Sequence, residues 1–134
     1  MLTEAVENYL TDILRLEETD TPATTSVLAS RLGVARPSVT GMLKRLASDG
    51  LLVHEPYKAV ILTRRGRKAA RAVVRRHRIV ETFLVDVLKM SPDKVHPEAH
   101  RLEHALSDEV LERLNEFLGR PKRDPHGSPI PGAE

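Results

Sequence analysis

Three of the chain's six histidines and four of its acidic residues fall in one stretch, V-H-P-E-A-H-R-L-E-H-A-L-S-D-E-V, from Val95 to Val110. On a helix His100 and His104 lie four residues apart and Glu103 three from His100, so all three side chains project from one face. Imidazole nitrogens and a carboxylate converging on one point suit a divalent transition metal. Upstream, His77 and Glu81 repeat the i, i+4 relation, and His96 falls in the connecting turn. The six potential ligands are all nitrogen or oxygen donors. One His/Glu pair on a charged helix means only a solvated face; two pairs on successive helices, with a third histidine nearby, point to metal. His54 and His126 lack this context and read as a strand residue and part of a tail. H-R-L-E-H also fits H-x-x-E-H, the inverted zinc-peptidase motif. Three fixed positions in five are a weak signal. A peptidase also needs a third ligand downstream, a cleft and a larger scaffold, and only about thirty residues follow.

The elements that must position these residues are legible as periods. Residues 3–18 place Val6, Tyr9, Leu10, Ile13 and Leu14 at helical spacing, with Thr3 as cap and Glu4 in the first turn. T-T-S-V-L-A-S-R-L-G-V predicts a short helix stopped at Gly33. A further helix starts with Pro37 in its first turn, repeats Val39, Met42, Leu43 and Leu46, and ends at Asp49-Gly50. The period then changes: two β-rich runs separated by E-P-Y-K-A predict a hairpin. A long helix from Thr63 to Met90, broken once at most, leads to a short element opened by Ser91-Pro92 and a last helix over Pro97–Leu118. The segment after Leu118 carries four of the nine prolines and no period, and reads as a linker or disordered end. No internal repeat is present.

Two short helices joined at R-L-G-V-A, followed by a hairpin, describe a winged helix-turn-helix. In that motif the second helix enters the major groove with its N-terminal residues facing base edges. Those residues are Ala35, Arg36, Pro37, Ser38 and Thr40. Arg36 suits guanine edges, Ser38 and Thr40 suit bases or phosphates, and small apolar groups suit thymine methyls. Lys44, Arg45 and Lys58 are candidates for phosphate contacts, which set affinity and register rather than sequence. The run Arg64–Arg78 holds eight Lys or Arg, either more of that footprint or a solvated helix face.

Composition narrows the classes. A chain of 134 residues suits one domain or two small modules. Without cysteine there are no disulfides and no thiolate ligands. The N-terminus lacks a basic, then apolar, leader pattern, and no apolar run approaches the ~18 residues of a membrane span. Two Tyr, two Phe and no Trp argue against a single-strand binder that stacks bases on aromatic rings.

Taken together, V-E-N-Y-L, R-P-S-V-T, D-G-L-L, L-T-R-R-G, R-R-H-R-I-V-E, K-V-H-P-E-A-H-R-L-E-H-A-L-S-D-E-V and G-S-P-I-P-G make a specific signature. From Leu2 to about Gly132 the chain resembles the diphtheria toxin repressor and manganese transport regulator family of metal-dependent transcriptional repressors. The resemblance implies a mostly α fold. A winged helix-turn-helix DNA-binding domain would occupy residues 1–64 and a helical dimerisation and metal-binding domain residues 65–118. A Pro/Gly-rich tail or linker would span 119–134, without the SH3-like domain of some members. It implies a cytoplasmic homodimer on a palindromic operator, repressing metal-uptake genes, with no membrane, small organic substrate or enzymatic activity. One metal site would use His77, Glu81 and His96, and the regulatory site His100, Glu103, His104 and the first helix around Asn8. Asn8 stands where relatives place methionine or aspartate, and His100 where they place cysteine or glutamate. Thr11 matches a ligand glutamate of the manganese branch, so Glu7 or a water is left to complete that shell. In this family cysteine leans toward iron and carboxylate toward manganese. Histidine leaves Mn(2+) and Fe(2+) both open, with Zn(2+) favoured by affinity alone.

Overall fold

Thr3 starts the first helix as the sequence predicts: its hydroxyl accepts the Val6 N–H at 3.2 Å, and Glu4 and Glu7 sit in the first turn, where the helix dipole favours negative charge. In the computed structural model, which describes residues 2–133, α1 (Glu4–Glu18), α2 (Thr25–Leu32) and α3 (Arg36–Ser48) come first. A hairpin of β1 (Leu52–Val53) and β2 (Ile61–Leu62) follows, then α4 (Arg64–Asp86), α5 (Val95–Glu103) and α6 (Asp108–Phe117). Residues 1 and 134, which open the first and close the last of the expected domains, lie outside the described residues. The chain divides into two compact units between Arg71 and Ala72, and α4 runs continuously through that point. No described helix is long and apolar enough to cross a membrane.

In the first unit the apolar repeats of three helices meet: Leu10, Ile13, Leu28, Val39, Leu43 and Leu46 are fully buried. Truncating any one to alanine costs about 2–5 kcal/mol for a Leu or Ile, because a cavity adds to the lost transfer energy. Gly33 closes α2 in the left-handed conformation (φ 66), which glycine adopts without a Cβ clash. The strands pair antiparallel, Leu52 with Leu62 and Val53 with Ile61. The first pair is buried and the second exposed, the alternation a one-sided sheet requires. Glu17 fastens the hairpin: it accepts the Leu62 N–H at 3.1 Å and pairs closely with Arg67 of α4. At Gly66, where α4 begins, an added Cβ would sit 1.8 Å from the Leu51 carbonyl oxygen, so this helix packs directly on the backbone entering β1.

The second unit departs from the predicted elements in three places. The last helix is not continuous over Pro97–Leu118. It breaks after His104 and restarts at Ser107, whose hydroxyl caps the Val110 N–H at 3.2 Å, with Asp108 and Glu109 in the first turn. The long helix is unbroken but ends at Asp86, and Lys89 beyond it is left-handed (φ 61). Ser91-Pro92 opens only a turn leading to α5. A buried cluster of Val80, Leu84, Val95 and Ala99 joins α4 to α5, with Phe83, Leu106 and Leu114 against it.

The segment after Leu118 is folded rather than loose. Arg123 bridges Pro129 antiparallel, the Ile130 N–H donates to Lys122 at 2.8 Å, and Asp124 Oδ1 accepts the N–H groups of His126 (2.9 Å) and Ser128 (2.8 Å). Arginines of α4 clamp it: Arg75 donates to the Pro131 carbonyl at 3.3 Å and Arg78 to that of Pro129 at 2.5 Å. The basic run is therefore not simply a solvated face. Arg75 is buried and also pairs with Glu112 at 2.5 Å, Arg76 caps the Glu103 carbonyl at 2.8 Å, and Arg65 reaches the Asp49 carbonyl at 2.9 Å.

Candidate functional site

α4 carries His77 and Glu81 one turn apart, both turned inward, with 2% and 3% of their surface exposed. α5 runs beside it, supplying His96 from its first turn and Glu103 from its last. His77 Nε2 lies 3.0 Å from His96 Nδ1 and in close contact with Glu81 Oε1, which is 3.9 Å from the same His96 nitrogen. The three donor atoms lie within 4.8 Å of one another. Ions held by two imidazoles and a carboxylate sit about 2.0–2.2 Å from each ligand, so separations of this size suit one shared centre. On the other side of the ring, His77 Nδ1 meets Glu103 Oε2 at 2.6 Å. A carboxylate on the far nitrogen fixes tautomer and ring orientation and makes the facing nitrogen more basic, the usual support of a metal-binding histidine.

A second donor set shares Glu81. Its Oε2 is buried without a well-formed hydrogen bond. Facing it, His126 Nδ1 stands at 3.2 Å, and donor atoms of Glu81, Asp124 and His126 again fall within 4.8 Å of one another. The tail turn positions them, and His126 Nε2 is held at 3.2 Å from the Pro92 carbonyl. Sequence reasoning missed both residues because they lie more than forty positions from Glu81 and show no helical spacing; D-P-H-G marks a turn but says nothing of where it docks.

Glu103 also faces the third group. Its Oε1 is 2.9 Å from His100 Nδ1 and 3.4 Å from His104 Nε2, and the two imidazoles meet edge to face at 5.2 Å. The one-face reading of His100, Glu103 and His104 thus describes a real cluster, although His104 caps α5 instead of continuing it. Asn8 lies partly buried on α1 of the first unit, its carbonyl accepting the Thr11 hydroxyl at 3.2 Å.

Electrostatics favour a cation here. Burial pushes the His77 pKa down, but the hydrogen bonds and charges of Glu103 and Glu81 outweigh it and raise the value to about 9. Glu81 shows the converse: burial pushes its pKa up, and His77, with His126 and His96, brings it below its ordinary value. Two buried carboxylates thus flank His77 and favour its charged form. A divalent ion would satisfy the same carboxylates, and the unsatisfied Glu81 Oε2, with more charge. The donors are imidazole and carboxylate only, which suits Mn(2+), Fe(2+) or Zn(2+) and not a thiophilic ion.

In the first unit Ala35, Arg36, Pro37 and Ser38 form the exposed start of α3, with Thr40 half-buried and Lys44 and Arg45 exposed further along. Arg36, Thr40, Lys44 and Lys58 line one groove of about 550 Å³. Thr24, Thr25, Ser26, His54 and Tyr57 share that groove and escaped the sequence reading. His54 is not in the strand but just beyond it.

Comparison with known proteins finds two domain families in order along the chain. Residues 1–60 match the family described as iron dependent repressor, N-terminal DNA binding domain, and residues 63–132 that described as iron dependent repressor, metal binding and dimerisation domain. The diphtheria toxin repressor of Corynebacterium glutamicum is 40% identical over 131 residues, covering 98% of this chain and 58% of its own length. The iron-dependent repressor IdeR of Mycobacterium tuberculosis is 40% identical, covering 98% of this chain and 57% of its own. A solved manganese-dependent transcriptional repressor in complex with manganese superposes with a TM-score of 0.89 at 46% identity, over 96% of this chain and 59% of that one. The chain therefore spans somewhat under three-fifths of the length of these relatives. With both domain families matched in order and relatives at this identity along nearly all its length, the chain belongs to the iron-dependent repressor family, whose members are DNA-binding transcriptional repressors and not enzymes.

Proposed function

We propose that the chain acts as a metal-activated repressor. On this reading it binds a palindromic operator as a homodimer when its second unit holds Mn(2+) or Fe(2+), and so silences genes for metal uptake. The observation that carries the reading is the buried His77–Glu81–His96 set, oriented by Glu103 and extended through Glu81 to Asp124 and His126. Relatives named as iron-dependent and manganese-dependent repressors support the choice of ion class. An ion held by His77, Glu81 and His96, or by Glu81, Asp124 and His126, would supply a fixed double positive charge to these donors. The residues do the remainder. Glu103 holds the His77 ring, Glu81 offers one oxygen to each donor set, and Arg75 and Arg78 keep the tail turn in place. His100, Glu103 and His104 form the regulatory set on this reading.

Coupling to DNA follows population shift: an ion that binds the operator-competent arrangement more tightly raises operator affinity by that preference. The dimer forms through an apolar face of the second unit, where Phe83, Val110, Leu114 and Phe117 line a groove of about 350 Å³ and Phe117 is 70% exposed. Apolar side chains so exposed mark an association surface. In the first unit, α3 lies in the major groove, with Arg36, Ser38 and Thr40 at base edges and Lys44, Arg45 and Lys58 at phosphates.

The test is operator affinity by fluorescence anisotropy, on a duplex selected from random sequence, with chelator and then with manganese, ferrous iron or zinc. A large gain with manganese or iron is expected. Equal affinity with and without metal refutes activation and leaves a winged-helix protein whose histidines are structural.

A further inference from the structure

We propose that Tyr57, at the tip of the hairpin loop, is a contact to the duplex backbone: its ring lies on a deoxyribose and its hydroxyl meets a phosphate of the DNA seated on α3. The inference rests on the DNA-binding reading above and adds a residue of a different chemical kind. Residues 55–58 form a tight turn, closed by the Lys58 N–H donating to the Glu55 carbonyl at 3.2 Å and by a Lys58–Glu55 ion pair at 2.8 Å. Proline in the second position and a left-handed third residue fit a type II turn, whose third position belongs by preference to glycine or asparagine. Here it is Tyr57, at φ 64. A bulky residue in that conformation is a real outlier.

Nothing in the first unit gains from it. The ring is fully exposed, at 107%, and joins no core. Strain combined with a solvent-projected aromatic is the reverse of what folding alone favours, and points to a partner outside the chain. The surroundings define that partner. Tyr57 shares the groove of about 550 Å³ with Arg36, Lys44 and Lys58, with the Thr40 hydroxyl and His54, and with no carboxylate. Arg36 and Lys44 of α3, with Lys58 of the turn paired to Glu55, suit a polyanion in contact with that helix. A tyrosine adds an apolar face for a sugar and a hydroxyl that donates to a phosphate oxygen. One isolated aromatic offers no succession of stacked bases, so the duplex backbone fits and single-stranded nucleic acid does not.

The experiment compares wild type, Tyr57→Phe and Tyr57→Gly, each manganese-loaded, by anisotropy on the selected operator and on a scrambled duplex, alongside thermal melting. Backbone contacts act uniformly across sequences, so Tyr57→Gly is expected to weaken both duplexes by about tenfold and Tyr57→Phe by about threefold. The glycine variant should melt at or above wild type, because it relieves the left-handed strain. Unchanged affinity in Tyr57→Gly overturns the proposal, as does a loss confined to the operator, or a loss accompanied by a lower melting temperature. A wild type that binds neither duplex with any of the three metals overturns the parent reading instead.

Discussion

Gly66→Ala is the substitution for which the structure gives the clearest magnitude. The added Cβ would stand 1.8 Å from the Leu51 carbonyl oxygen, 2.8 Å from its carbon and 3.3 Å from its Cα. Ordinary contact begins near 3.4 Å, so the helix start and the backbone entering β1 must separate by roughly 1.6 Å. All three obstructing atoms are backbone, so no rotamer change relieves them. Overpacking a side-chain environment costs about 1–3 kcal/mol, and this contact belongs above that range, at about 3–5 kcal/mol. Subtracting the ~1 kcal/mol by which alanine favours a helix over glycine leaves a net loss of about 2–4 kcal/mol. At a few degrees per kcal/mol the melting temperature should fall by about 10–20 °C. Gly41→Ala is the internal control: it lies on α3 with nothing within 4 Å of a new Cβ, and should stabilise by about 0.5–1 kcal/mol through helix propensity alone. Thermal and urea melts of both variants supply the comparison. If Gly66→Ala matched wild type within about 2 °C, the direct packing of α4 on the Leu51 backbone would be wrong, and with it the account of how the hairpin is anchored.

Other outcomes follow from the metal centre and its supports. With its pKa near 9, His77 is only about 1% neutral at pH 7, so binding an ion there should release close to one proton, and affinity should rise about tenfold per pH unit toward pH 9. Calorimetry in buffers of different ionisation enthalpy measures this, and a flat profile would contradict it. Without metal the sign reverses. The raised His77 value stabilises the fold fully below about 6.5 and is lost as pH climbs through about 9, while the lowered Glu81 value is lost as pH falls below its ordinary 4.5. Metal-free protein should therefore melt highest between about pH 4.5 and 6.5, which a series of melts against pH will test. His126→Ala should weaken manganese binding by about tenfold while the dimer persists, and unchanged affinity would remove the tail turn from the site. His100→Ala or His104→Ala should abolish metal-dependent operator binding in a protein of normal melting temperature; retained activation sinks the regulatory assignment. Ser107→Ala should cost about 1 kcal/mol by removing the cap of α6, seen as a small drop in the urea midpoint.

The local code of this chain is strong wherever one element decides its own form. Thr3 and Gly33 mark helix ends by side-chain or backbone chemistry that acts within four residues, and the structure has them there. The i, i+4 pairing of His77 with Glu81, and the His100–Glu103–His104 cluster, were legible for the same reason: helical spacing puts them on one face whatever surrounds them. Ser107 shows the limit. Its capping signal was present in S-D-E-V, but the apolar period continued across it, and the continuous pattern outweighed the cap. What tertiary structure alone decided is the meeting of distant segments. The bond of Glu103 to His77 spans 26 positions. The approach of His126 to Glu81 and the clamping of the tail turn by Arg75 and Arg78 join segments further apart still. Sequence fixes which atoms are available, because residue type sets charge and donor count. It does not fix which carboxylate oxygen faces which imidazole, because that depends on how packed helices and a proline-rich turn settle against one another to bury apolar surface, and only the closed core determines that.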